Sequence, residues 1–133
     1  MRRALESFEK ARTGEKAVTV TQVARRVASS RSHKGSARAG VAAHNVWGDP
    51  LEACSKREYW TPLPLAHQVK RVWVYGVADL VGFLDGSPVE VVELKHYSVL
   101  DKYSIVQASI YAWLTAKVFN VAPRAYVVLG WNG

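Results

Sequence analysis

The chain has 133 residues, 49% of them hydrophobic and 22% charged, with a formal net charge of +7. That length bounds one domain with one core, and the composition excludes a disordered chain. The positive excess favours a polyanionic partner, nucleic acid before an acidic membrane surface, and the single cysteine, Cys54, excludes an internal disulfide.

Residues 3–12 have helical composition, and so does Val20–Ser29, which Thr19 or Thr21 can cap. The polar break Ser29–Ser36 follows, then a second helical stretch, Ala37–Val46, stopped by Gly48 and Pro50. Residues 1–70 carry 13 Lys and Arg against 6 Asp and Glu, whereas residues 71–133 carry 5 of each, so the whole excess lies in the first half. From Lys16 to Arg38 there is no acid at all. Arg25, Arg26, Arg31, Lys34 and Arg38 are therefore the candidate phosphate contacts, although a solvated basic surface has the same composition. The charged start Met1-Arg-Arg-Ala-Leu-Glu is not a secretory signal. No apolar run approaches the ~18 residues that span a bilayer. A soluble, cytoplasmic protein without a membrane partner is expected.

Residues 49–69 contain Pro50, Pro62 and Pro64 and read as mostly irregular. Arg71–Tyr75, Val77–Leu84 and Val89–Leu94 then read as strands. Asp85-Gly86-Ser87 between the last two is a hairpin signal. Val89–Leu94 is apolar on both faces, as in a central strand. Asp101–Phe119, capped by Ser98 or Asp101, reads as a long helix, and Ala125–Leu129 as a final strand. The order predicts an α/β domain whose mixed sheet is flanked by helices. A basic helical part covers residues 1–48, and the sheet with its long helix covers 70–130.

The hairpin carries the chemistry. A three-residue loop sets Asp79 directly opposite Glu93, roughly 5 Å apart at Cβ. A two-residue Asp-Gly loop displaces it by one position unless a bulge restores the match. Lys95, two residues beyond Glu93, shares its face. Two carboxylates so close repel unless a cation lies between them. Paired oxygen donors suit Mg²⁺ or Mn²⁺, and such a site can hydrolyse a phosphodiester. The plain alternative is a cross-strand salt-bridge cluster. Gln107 and Tyr111 share one face of the predicted helix, where they can orient a nucleic-acid backbone or brace a metal site. His44, near the end of its helix, can supply a nitrogen ligand. Alone, each of these three is also an ordinary surface or core residue.

Together these residues resemble a known superfamily. Val77-Ala-Asp79 followed by Val91-Val-Glu93-Leu-Lys95 resembles the core of the PD-(D/E)XK nucleases. Gln107-x-x-x-Tyr111 and the upstream Gly40-x-x-x-His44 resemble the extra motifs of the RecB-like members, including the CRISPR-associated RecB-like exonucleases. The resemblance spans Gly40–Tyr111, with the motifs in the family's order. It implies a restriction-endonuclease-like αβββαβ core with extra N-terminal helices. It also implies His44, Asp79, Glu93 and the carbonyl of Leu94 as metal ligands, Lys95 as the catalytic lysine, and Gln107 and Tyr111 positioning the lysine or the DNA. Many CRISPR-associated members carry four cysteines for an iron–sulfur cluster; with Cys54 alone, none is expected here. The function implied is a Mg²⁺- or Mn²⁺-dependent deoxyribonuclease, an exonuclease on linear or single-stranded DNA. A structure-specific endonuclease of the junction-resolvase kind would share only the Asp…Glu-x-Lys core and act as a dimer, so a homo-oligomer is compatible with the sequence. A binding module would use the basic half and leave the hairpin charges as salt bridges.

Overall fold

Two consecutive hairpins build the centre of the structure. The computed structural model describes residues 1–28 and 48–132. In chain order these form α1 (Arg2–Thr13), β1 (Ala17–Thr19), α2 (Val20–Ala28), a 3-10 segment (Pro50–Ser55), β2 (Glu58–Val69), β3 (Val72–Leu84), β4 (Ser87–Leu94), α3 (Lys102–Phe119) and β5 (Arg124–Val128). The expected break at 29–36 and helix at Ala37–Val46 lie outside the described residues.

β3 is the axis of a mixed five-stranded sheet. β2 pairs antiparallel with it from Glu58↔Leu84 to Val69↔Val72. With that edge filled, β1 (parallel) and β4 (antiparallel) share the other edge, and β5 lies parallel to β4. Helices cover both faces. Ala66 and Tyr75 are ladder partners on one face, where Phe8 of α1 meets the Tyr75 ring edge-on at 5.8 Å. The next pair, Leu65 and Gly76, turns to the opposite face, against Tyr111 of α3. The main core lies on that second side: Val20, Leu63, Leu65, Val81, Phe83, Val91, Tyr111 and Leu114. Each such large apolar side chain contributes about 1.5–3 kcal/mol when fully buried. No described helix is long and apolar enough to cross a membrane.

The helix ends follow from single side chains. Thr19 Oγ1 accepts the Gln22 N–H at 3.1 Å while Gln22 Oε1 accepts the Thr19 N–H at 2.9 Å, a reciprocal cap that starts α2. Asp101, not Ser98, caps α3, accepting the Ser104 N–H at 2.8 Å. Asn120, left-handed at φ 55°, closes it.

The structure corrects three expectations. Residues 58–69, expected to be irregular, form β2 despite Pro62 and Pro64. Its only described ladder partner is β3, and such an edge strand tolerates residues without an N–H. The two expected strands 71–75 and 77–84 are one strand of 13 residues, continuous through Gly76. β1, three residues long, is too short to show a period, so the sheet also draws on the basic first part of the chain.

Candidate active site

The β3–β4 turn contains two residues, Asp85 and Gly86, at φ 50° and 82°. Two positive φ values give the turn that matches strand twist, and Asp-Gly suits it. A two-residue turn alone would displace Asp79 from Glu93. The ladder runs Leu84↔Ser87 and Phe83↔Pro88, then slips past Val89 and resumes as Gly82↔Glu90, Val81↔Val91 and Leu80↔Val92. Continued one step, that register sets Asp79 opposite Glu93.

A second slip affects the same residue. On the β2 side the register passes from Thr61↔Val81 to Leu63↔Ala78, so Asp79 and Leu80 together oppose the single Pro62. A bulge of this kind re-aims a side chain. The Asp79 carboxylate turns along the sheet, where its Oδ2 accepts the backbone N–H of Leu94 at 2.9 Å.

Asp79, Glu93, Lys95, Gln107 and Tyr111 are all buried. Lys95 Nζ lies 3.5 Å from Glu93 Oε1, donates to Gln107 Oε1 at 2.5 Å, and sits 5.2 Å from the centre of the Tyr103 ring. The lysine backbone is pinned as well: its N–H donates to the Val128 carbonyl, and its carbonyl accepts the Trp131 N–H, each at 2.9 Å. The other carboxylate oxygen of Glu93, Oε2, is buried without a hydrogen-bond partner. Burial, and then the charge of Asp79, push the Glu93 carboxyl well above the usual carboxylate range, while Lys95 opposes them. Burial and the two carboxylates likewise push the Tyr111 phenol up, which keeps it a neutral hydroxyl.

The sequence-derived set therefore divides. Asp79, Glu93, Lys95, Gln107 and Tyr111 converge between the sheet and α3, with Leu94 contributing its N–H to Asp79. Arg25 and Arg26 lie exposed on the last turn of α2, outside this cluster. His44, Arg31, Lys34 and Arg38 fall outside the described residues. Two members escaped sequence reasoning. Tyr103 precedes Gln107 by four residues, so the spacing that picks out Gln107 and Tyr111 also reaches it. Gly76 carried no signal: a Cβ there would lie 2.6 Å from the Tyr111 hydroxyl and 3.1 Å from Val20. Its missing side chain makes room for the phenol.

The donor set fits a hard cation. Two carboxylates face one ammonium, so full ionisation leaves a buried net charge of −1, and one carboxylate oxygen has no donor. A proton on Glu93 or a cation beside it relieves that imbalance. Among the described residues no group of three His, Cys, Asp or Glu gathers as a metal site. An oxygen pair alone suits an ion that keeps several of its waters, as Mg²⁺ does. The chain matches no family model, no curated protein and no solved structure.

Proposed function

We propose that this chain is a metal-dependent nuclease with a restriction-endonuclease-like core, hydrolysing phosphodiester bonds of DNA in the cytoplasm. The observation that carries the reading is the buried trio: Asp79 and Glu93 on facing strands, with Lys95 3.5 Å from the glutamate. A bare salt-bridge cluster accounts poorly for it. A second buried carboxylate with an unsatisfied oxygen costs stability unless a proton or a cation uses it, and a bound cation lets both acids stay ionised.

Asp79 and Glu93 would hold Mg²⁺ or Mn²⁺, with the Leu94 carbonyl and His44 as further ligands. When bound, the ion would polarise a phosphoryl oxygen and favour deprotonation of water. The chain's own groups do the rest. The Leu94 N–H fixes the Asp79 carboxylate. Gln107 and the Tyr103 face hold the Lys95 ammonium against Glu93, so its remaining N–H groups meet the attacking water or the phosphoryl oxygen on which charge develops. Water gives up a proton to solvent as it forms the new O–P bond, the ester O–P bond breaks, and the leaving alkoxide takes up a proton from solvent, so the protons balance. Arg25 and Arg26, exposed on α2, suit contacts to more distant phosphates. The Gln107/Tyr111 pair favours the RecB-like exonuclease over a resolvase, which does not require it.

The test is to incubate end-labelled linear single-stranded DNA, linear duplex and closed circles with Mg²⁺ or Mn²⁺, alongside EDTA and Asp79→Ala lanes. Linear DNA is expected to disappear while circles persist, and both controls should be inactive. Nicked circles would indicate an endonuclease. DNA that is shifted but never cut, by the Asp79→Ala protein equally, would make the chain a binding module.

A further inference from the structure

Six residues, His96–Asp101, carry the chain from Lys95, just past β4, into α3. Their tip is apolar and open: Val99 is 73% exposed, the most of any large apolar side chain among the described residues, and Leu100 is 51% exposed. The loop around this tip is tied down. The Tyr97 carbonyl accepts the Gly130 N–H at 2.9 Å. The Tyr97 and Ser104 hydroxyls share a hydrogen bond at 2.7 Å, and Asp101 caps α3 at 2.8 Å. Val99 and Leu100 are thus held outward between anchored ends, flanked by exposed His96 and Lys102.

Val99 lies four residues past Lys95, a reach of at most about 14 Å. That is about four steps of a stacked nucleic-acid strand at ~3.4 Å each. A strand held at the buried trio by a phosphate therefore has nucleotides within reach of this tip. A paired, stacked end hides its base faces, whereas an unpaired strand offers them to apolar side chains. Lys102 beside the tip suits the backbone of the same strand.

Building on the nuclease reading, we propose that Val99 and Leu100 form an apolar contact for unstacked bases next to the scissile phosphate. This contact makes single-stranded or frayed ends the favoured substrate. The tip acts on which strand is held, and the trio acts on the bond that breaks.

The test uses the full chain and a Val99→Ser/Leu100→Ser variant. Both side chains are exposed, so an unchanged melting curve is expected. kcat/KM is measured on a single-stranded oligonucleotide, on the same oligonucleotide with abasic sites in its four terminal positions, and on a blunt duplex, with Asp79→Ala as control. Wild-type protein is expected to lose about tenfold on the abasic strand. The variant should lose about as much on the intact strand, become indifferent to base removal, and cut the blunt duplex as wild type does. Equal sensitivity of both proteins to base removal, or full activity of the variant on the intact strand, overturns the contact while leaving the nuclease reading standing. So does a variant that keeps its strand preference but no longer binds vesicles of anionic lipid, which would make the tip a membrane contact. If wild type cuts none of these DNAs better than Asp79→Ala, the nuclease reading falls and the contact falls with it.

Discussion

The strand β3 carries two ladders, and they are built differently. Toward β4 the turn is Asp85-Gly86, residues that accept positive φ, and one slip at Val89 leaves regular pairing up to Leu80↔Val92. Toward β2 the turn is Lys70-Arg71, also at positive φ (46° and 73°) but without Gly or Asn, and the ladder slips at Pro62 beside Asp79. The regular ladder decides which residues face each other. The broken one decides where the aspartate points. A site needs both, because opposition alone would leave Asp79 in ordinary cross-strand geometry.

The largest effect should come from breaking the facing acids and lysine themselves. Asp79→Ala and Lys95→Ala are expected to lower kcat on linear DNA by about a thousandfold or more. Circular dichroism should show Asp79→Ala folded, since that exchange removes one of two crowded buried carboxylates, whereas Lys95→Ala strips both acids of their ammonium and should lower the melting temperature, so its kcat is read well below that temperature. Retention of a tenth of the activity by either would return the trio to a structural role.

Pro62→Val tests the broken ladder. If the slip aims Asp79, a residue that can donate an N–H lets regular pairing compete, and the carboxylate shifts. A displacement of about 1 Å can cost about a hundredfold in rate, and that is the expected fall in kcat. KM for DNA should hold, because no phosphate contact is touched. Unchanged kcat would show that the bulge is incidental.

Gly76→Ala tests the opposite wall. The new methyl would meet the Tyr111 hydroxyl at 2.6 Å and Val20 at 3.1 Å. Overpacking of this kind costs about 1–3 kcal/mol, read as a lower urea midpoint. Activity should fall with it, and the added substitution Tyr111→Phe should recover stability but not activity.

How much of this was readable beforehand follows from where each signal sits. Asp79 and Glu93 lie on strands with dense apolar patterning, and Lys95 directly follows one, so a charge there stood out, and Asp85-Gly86 announced the hairpin. Gln107 and Tyr111 were readable because α3 runs unbroken over 18 residues, which sets positions four apart on one face. β2 was hidden by Pro62 and Pro64, since local propensity says nothing about whether a strand will lie at a sheet edge. The Val89 slip could be named only as a remedy, because a bulge depends on packing from both faces. Gly76 was unreadable for the same reason: its role is the space it leaves for a phenol 35 residues away, and absence of a side chain has no pattern.

Glu93 supplies a pH test of the regular ladder. Burial and Asp79 raise its carboxyl in the folded protein, while in the unfolded chain it titrates near its ordinary value of about 4.3. Between those two values the native state holds a proton that the unfolded chain has released. Stability of the metal-free protein should therefore fall as pH rises through that window and level off above the folded value. Mn²⁺ or Mg²⁺ should oppose the fall, because the ion takes the place of the proton. Melting curves at several pH values in EDTA and in Mn²⁺ measure this, and Glu93→Gln should remove the pH dependence. A melting temperature that climbs with pH in EDTA would mean the acids are paired rather than crowded.

The smallest expected change lies at the other turn. Lys70 and Arg71 occupy left-handed backbone, which is disfavoured for residues carrying a Cβ and suits Asn-Gly. Replacing the pair with Asn-Gly should raise stability by about 1 kcal/mol, the strain relieved being partly offset by the entropy of the added glycine. The turn lies eight residues along β3 from Asp79, about 26 Å at strand spacing, so nuclease activity at low salt should not move. If activity drops while stability rises, the two cations touch DNA and the strain is retained for that contact, as strained backbone at functional positions generally is. The β2–β3 hairpin would then serve the substrate at both its ends, through the turn cations at one and the aimed aspartate at the other.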